Sequence, residues 1–244
     1  MITSVHNNRV KQWKRLGKRK DREQTGTFFI EGYHLIDEAY RSGWKVLEVI
    51  AEEGKTVPDW SQGIVVYVSS EVFKYAARTE APQGIAAVVE MKEIAASGGN
   101  AVLLVDAIQD PGNLGTIIRT ADSAGFDAVL LGDGTVDPYN DKVIRATQGS
   151  LFHIAVYHVN IINEIPDLKQ QGYEIWASAL TESVPFETAT VPDKTALIVG
   201  NEGAGIQNGI LRLADSIVNI PIYGNAESLN VSVAAGILMY YIRR

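Results

Sequence analysis

The chain has 244 residues, 46% of them hydrophobic and 21% charged, with a formal net charge of −7. That is enough apolar material for one large core or two small ones, and no apolar run reaches the roughly 20 residues of a membrane span. There is no cysteine, which excludes disulfides, thiolate nucleophiles and cysteine metal sites.

The first 23 residues hold eight Lys/Arg against two acids, a net of +6, so the remaining residues carry −13. No apolar stretch follows these cations, which argues against a secretory signal and for a cytoplasmic protein. A basic arm on an acidic body fits a phosphate-rich partner such as RNA, with Arg9, Lys11, Lys14, Arg15, Lys18 and Arg19 as its contacts. The plainer reading is an amphipathic helix with Val10, Trp13 and Leu16 inward and the cations in water. Next, alternation and turn residues predict strands over 27–30, 46–50, 64–68 and 84–89, and helices over 32–42 and 69–77. This is a compact α/β unit. The small and Gly-rich stretch that ends at Asn100 reads as a linker, dividing the chain into domains of residues 1–95 and 96–244.

The second unit opens with an unbroken apolar run over 101–105, and similar runs follow at 128–131, 154–157, 174–179 and 196–199. Such runs suit strands covered on both faces, and helical stretches between them predict an open, mainly parallel α/β sheet. In such sheets ligands bind beyond the carboxyl ends of the strands, and three segments occupy that place. In the first, a Pro-Gly turn at 111–112 leads into a helix carrying Asn113, Gly115 and Arg119; the plain reading makes Asn113 a helix cap and Arg119 a surface cation near Asp122. In the second, residues 200–205 read Gly-Asn-Glu-Gly-Ala-Gly between a strand and a helix, open to close approach by a ligand. The spacing is wrong for a dinucleotide fingerprint. Glu202 would repel a pyrophosphate but suits a cationic ligand, or it simply caps a helix. In the third, Ile220-Pro221 precedes Ser228-Leu229-Asn230-Val231-Ser232, with Ser228 as a candidate cap for a helix over 229–242. That helix is apolar on nearly every side, so it is a core helix or a dimer seam.

In this order the three segments resemble the motifs of the SpoU (TrmH-like) group of SPOUT methyltransferases: Asn-x-Gly-x-x-x-Arg at Asn113, Gly115 and Arg119; Gly-Asn-Glu-Gly-x-Gly at 200–205; and Ile-Pro with Ser-Leu-Asn-Val-Ser at 220–232. Lys142, Arg145, Gly149, Ser150 and Phe152 resemble the basic stretch between them, with Thr147 and Gln148 departing from it. The likeness covers roughly residues 100–244. More loosely, residues 29–32, 38–39 and 81–85 resemble a substrate-binding domain similar to ribosomal protein L30e.

The resemblance implies an α/β domain with a C-terminal trefoil knot, a homodimer formed through the last helix, and S-adenosylmethionine held by Gly200, Asn201, Gly205, Ile220 and Leu229, with no metal. It implies methylation of a ribose 2′-hydroxyl, which marks RNA because DNA lacks that group: 23S ribosomal RNA first, transfer RNA as the alternative. Arg119 would grip the target phosphate, with Asn113, Glu202, Ser228 and Asn230 arranging the reaction around it and Arg145 contacting RNA. The four histidines lie outside the motifs. Three other readings compete: a non-catalytic RNA-binding protein, a nicotinamide-dependent oxidoreductase, and a SPOUT enzyme that methylates a base.

Overall fold

The computed structural model describes residues 1–96 and 98–244. Close contacts group them into two units, Met1–Lys92 with Tyr139–Phe152, and Glu93–Pro138 with His153–Arg244.

In the first unit, helices α1 (Asn8–Arg15) and α2 (Arg19–Thr25) precede strand β1 (Thr27–Glu31), helix α3 (Tyr33–Arg41), strands β2 (Val46–Glu52) and β3 (Val65–Val68), helix α4 (Ser70–Ala76) and strand β4 (Ile85–Glu90). The sheet order is β1-β4-β2-β3, with β4 antiparallel to both neighbours and β2 parallel to β3. Every strand and helix expected between residues 27 and 89 forms, within two residues of its expected ends. The arm is a folded part of this unit: Val10, Trp13 and Leu16 are buried in the core beside Phe29, Ile50 and Phe73. Asn7 caps α1 by accepting the Arg9 N–H, and Gly26, at φ 63°, ends α2 in the left-handed conformation that glycine adopts without strain.

Helix α5 (Pro111–Ser123) belongs to the second unit, whereas α6 (Asp141–Thr147) belongs to the first. The sequence-based division at 95/96 assigned 139–152 to the second domain; close packing explains the difference. The Tyr139 ring lies 4.8 Å from that of Phe28, the Phe152 ring lies 5.3 Å from that of Trp44, and Trp44 Nε1 donates to the Phe152 carbonyl at 3.1 Å.

The second unit is a seven-stranded sheet: β5 (Ala101–Val105), β6 (Ala128–Leu131), β7 (Ala155–His158), β8 (Glu174–Ser178), β9 (Val184–Pro185), β10 (Thr195–Val199) and β11 (Ser216–Asn219). The order is β7-β6-β5-β10-β8-β11-β9, and every pairing is parallel. All residues of β5, β6 and β10 are buried, as strands covered on both faces require. The two strands that the pattern missed, β9 and β11, are two and four residues long; β9 is exposed and β11 is mostly half-buried. They carry too little apolar periodicity to show. Helices α7 (Ile161–Gln170), α8 (Asn208–Leu211) and α9 (Val231–Ile242) complete the unit.

Two expected caps are corrected. Helix α5 is capped by Asp110, whose carboxylate accepts the Asn113 N–H at 2.8 Å. This places Pro111 in the first turn, where its missing N–H costs nothing, and puts Asn113 inside the helix. Helix α9 starts at Val231 and is capped by Asn230, which accepts the Ser232 N–H at 2.9 Å. Asn113 and Ser228 therefore cap neither helix. Nor does Asp122 pair with Arg119; it lies 3.3 Å from His153 Nδ1.

Candidate active site

Because the second sheet is parallel, its carboxyl ends lie along one rim, from which the segments after β5, β10 and β11 all emerge. Residues 200–206 form a closed turn. Asn201 and Gly205 exchange backbone N–H···O bonds of 3.0 Å each way. The Asn201 side-chain oxygen accepts the Gly203 and Ala204 N–H groups at 3.0 Å, and its amide donates to the Ala107 carbonyl at 2.8 Å. A Cβ on Gly200 would sit 2.4 Å from the Gly205 carbonyl carbon and the Ile206 nitrogen, so only glycine fits there. Ala107, just beyond β5, takes φ 55°. A non-glycine residue in that region costs about 1–3 kcal/mol and persists only where its surroundings hold it; the Asn201 amide is one such hold.

Glu202 ties this turn to the start of α5. Its carboxylate accepts the Asp110 N–H at 3.2 Å, the Gln109 N–H at 3.4 Å and the Asn113 side-chain amide at 3.0 Å. Asn113 in turn accepts the Asn230 side-chain amide at 3.0 Å. One chain of hydrogen bonds, Glu202–Asn113–Asn230, thus joins the three motif segments, and Glu202 caps no helix of its own. Partial burial pushes the Glu202 carboxyl up, but the bonds from Asn113 and from backbone N–H groups together outweigh it and hold its pKa below the ordinary glutamate value. Glu202 is therefore held as an anion whose bonds organise the loop.

A depressed folded-state pKa contributes stability fully present above the ordinary glutamate range and lost as pH falls through the lowered value. Glu202→Gln puts an amide against at least one N–H that needs an acceptor. Charged hydrogen bonds contribute about 1.5–3 kcal/mol, and Glu202 as a residue is largely exposed, so the lower end applies: we expect cofactor affinity to fall about tenfold and the loss of stability at acid pH to flatten. Titration calorimetry and melts across pH read both; parental values in both would contradict this role.

Two further residues belong to the site and escaped the sequence reading. Asp106, 1% exposed at the end of β5, accepts both the backbone and side-chain N–H of Gln207, at 2.8 and 2.7 Å. It fixes the far end of the glycine turn. An acid directly after an apolar strand was the available signal. The role of Ala107 has no sequence signature.

Arg119 lies on the open stripe of α5, with Thr116 and Ser123 exposed on either side of it. Its guanidinium pairs with no acid among the described residues. Ile220 is half-buried, while Ser228 and Leu229 are exposed in the segment that leads to Asn230. The structure thus brings Asn113, Glu202, Asn230, Asn201, Gly200 and Gly205 into one bonded group and leaves Arg119, Ser228 and Leu229 open beside those elements.

In the first unit, several cations of the arm are already engaged. Arg9 pairs with Glu48 at 3.1 Å, Arg15 with Asp21 at 3.0 Å and Arg19 with Glu23 at 2.7 Å. Lys14 donates to the Tyr75 carbonyl at 2.8 Å and lies 5.2 Å from the centre of that ring; burial, then the Arg78 charge, lower its pKa. Lys11 and Lys18 are exposed. Arg145 is half-buried and paired with Asp141 at 2.8 Å.

Comparison with known proteins gives matches of both kinds. The model of the SpoU rRNA Methylase family matches residues 100–240, and that of the MRM3-like substrate binding domain matches residues 7–87. The chain is 47% identical to the Bacillus subtilis 23S rRNA (guanosine(2553)-2′-O)-methyltransferase RlmP, over 99% of this chain and 98% of that one. It is 31% identical to the 23S rRNA (uridine(2479)-2′-O)-methyltransferase of Streptomyces viridochromogenes, over 98% and 90%. The AdoMet-bound rRNA methyltransferase of Sinorhizobium meliloti superposes with a TM-score of 0.89 at 32% identity, over 99% and 96%.

Proposed function

Since this chain belongs to the SpoU rRNA methylase family, we infer its activity from that membership and from the joined site. It is an RNA (ribose-2′-O)-methyltransferase acting on 23S ribosomal RNA, with S-adenosylmethionine as methyl donor. The observation that carries the reading is the bonded chain Glu202–Asn113–Asn230, which makes one site of three motif segments.

The site fits the donor. The turn at 200–205 and the exposed run at 223–230 present main-chain groups without bulky cover, and a Cβ on Gly224 would meet nothing within 4 Å. The turn itself carries the Glu202 carboxylate, a charge compatible with a sulfonium. Gly200, Asn201, Gly205, Ile220 and Leu229 would hold the group, which supplies an electrophilic methyl when bound. The products are a 2′-O-methyl ether, a neutral thioether and one proton. A guanidinium stays protonated in proteins, so Arg119 acts by gripping the target phosphate and stabilising the alkoxide character that develops on the ribose oxygen. Asn113, Glu202, Ser228 and Asn230 orient the groups around it. The C-terminal knot belongs to this reading, as do the RNA contacts of Arg9, Lys11, Lys14, Arg15, Lys18, Arg19 and Arg145. The pairings above leave Lys11 and Lys18 as the readiest phosphate contacts. An rRNA substrate points to the cytoplasm.

A homodimer through α9 completes the proposal. Val233, Ile237 and Tyr240 are 51%, 38% and 57% exposed at helical spacing, an apolar stripe in need of cover. Ile237→Lys should yield monomers with at least tenfold less activity; light scattering would show it, and an unshifted dimer would overturn this seam.

The reaction is tested with purified protein, radiolabelled S-adenosylmethionine and unmodified 23S rRNA. Label should enter at one nucleotide, resist alkaline cleavage there as a 2′-O-methyl does, and fall first to be sought at the guanosine equivalent to 2553. Label on a base would favour the base-methylating alternative.

A further inference from the structure

The first unit contains a cavity of about 210 Å³ at the end of β1 and the start of α3. Its walls include Glu31, His34, Thr79, Gln83, Arg145 and Gln148, the last two supplied by the 139–152 segment. None of the residues so far assigned to catalysis lines it. The walls are fixed. His34 Nε2 lies 3.0 Å from the Gln148 carbonyl, and the Gln83 side-chain oxygen accepts the Tyr33 N–H at 3.2 Å. Gln148 itself takes φ 51° and Gly149 φ 101°; a Cβ on Gly149 would lie 2.9 Å from Glu38 Cγ. The left-handed Gln148 is the cap that ends α6, its N–H donating to the Arg145 carbonyl at 3.2 Å.

The chemistry of the walls selects the occupant. Arg145 is neutralised by Asp141, and Glu31 brings a negative charge, so a phosphate gains little here. A neutral heterocycle with donor and acceptor edges gains more. The Gln83 side chain uses its oxygen on Tyr33 and keeps its amide hydrogens to donate. Gln148 spends its amide on the Arg145 carbonyl at 2.8 Å and keeps an oxygen to accept. Glu31 receives the Thr79 hydroxyl at 2.8 Å and the Arg78 N–H, leaving carboxylate lone pairs. The volume is below the roughly 300–1,000 Å³ of pockets for whole small molecules and suits one flat ring system. We propose that this cavity captures a single unpaired nucleobase of the substrate RNA, away from the nucleotide that is methylated. Single-stranded bases splayed from loops and read on their edges are the usual carriers of RNA sequence specificity.

The proposal rests on the RNA methyltransferase reading, and its test separates the two. A 23S rRNA fragment that the full chain methylates is remade as a series in which each unpaired nucleotide is replaced, one at a time, by an abasic site. One position remote from the methylated ribose should raise the RNA KM about tenfold with kcat little changed. Gln83→Leu and His34→Ala should each raise the KM similarly, leave S-adenosylmethionine affinity intact, and add nothing on the abasic RNA, the coupling expected of groups in contact. If every remote abasic RNA behaves like the parent, the pocket proposal is overturned without any variant having to fold, and the methyltransferase reading stands. Additive effects of variant and abasic site overturn it equally. If the parent protein methylates no RNA, both readings fall together.

Discussion

Arg119→Ala is expected to lower the rate of methyl transfer by about 10²–10³-fold, the usual cost of losing one donor aimed at developing negative charge, while S-adenosylmethionine affinity stays within about twofold of the parent. The separation is the informative part. Arg119 sits on the exposed stripe of α5, and its side chain has no bond into the Glu202–Asn113–Asn230 chain, so its loss should leave the cofactor turn standing. Arg119→Lys keeps the charge and discards the planar fork, and at a phosphate-gripping site that exchange is not conservative. We expect it to recover a minor part of the rate. Single-turnover methylation with calorimetric cofactor binding measures both quantities. An alanine variant of parental rate would remove Arg119 from the reaction, and one that loses cofactor binding would make it structural.

Gly200→Ala is expected to act on the other half of the site. The added methyl would meet Gly205 and Ile206 backbone atoms at 2.4 Å, and backbone cannot step aside as a flexible side chain does. Overpacking of this kind costs about 1–3 kcal/mol. Relief requires opening the turn, which breaks the two Asn201–Gly205 bonds and loosens the Ala107 and Glu202 contacts. Cofactor affinity should therefore fall by about 5- to 150-fold, with a lower melting temperature. Gly209→Ala is the control: its nearest contact is Ile162 at an ordinary 3.7 Å, and it should bind cofactor as the parent does. Equal affinity in the two variants would mean that the turn does not form the cofactor cradle.

Much of this site was legible in the sequence because its parts are local. An apolar strand followed by glycines is a pattern of adjacent residues, and so is Asn-x-Gly-x-x-x-Arg. What joined them was not legible. That Glu202 reaches Asn113, 89 positions away, follows from the strand order that seats β10 beside β5, and that Asn113 reaches Asn230, 117 positions away, follows from the packing of α9 on α5. The misjudged caps have a local origin. Asn113 and Ser228 are good capping residues by type, yet Asp110 and Asn230 also qualify, and local preference does not choose between neighbours. The arm shows the opposite balance. Its spacing correctly put Val10, Trp13 and Leu16 inward, while the partners that occupy Arg9, Arg15 and Lys14 come partly from β2 and α4, which no count of charges reveals. The placement of 139–152 with the first unit depends on Phe28 and Trp44, again a matter of tertiary packing.

The central claim is met most directly by mapping 2′-O-methyl groups, at nucleotide resolution, in large-subunit rRNA from cells with and without this gene. The account predicts that one 2′-O-methyl disappears in the deletion strain, that it returns with the parental gene, and that the Arg119→Ala gene fails to restore it. An unchanged large-subunit map would contradict the account.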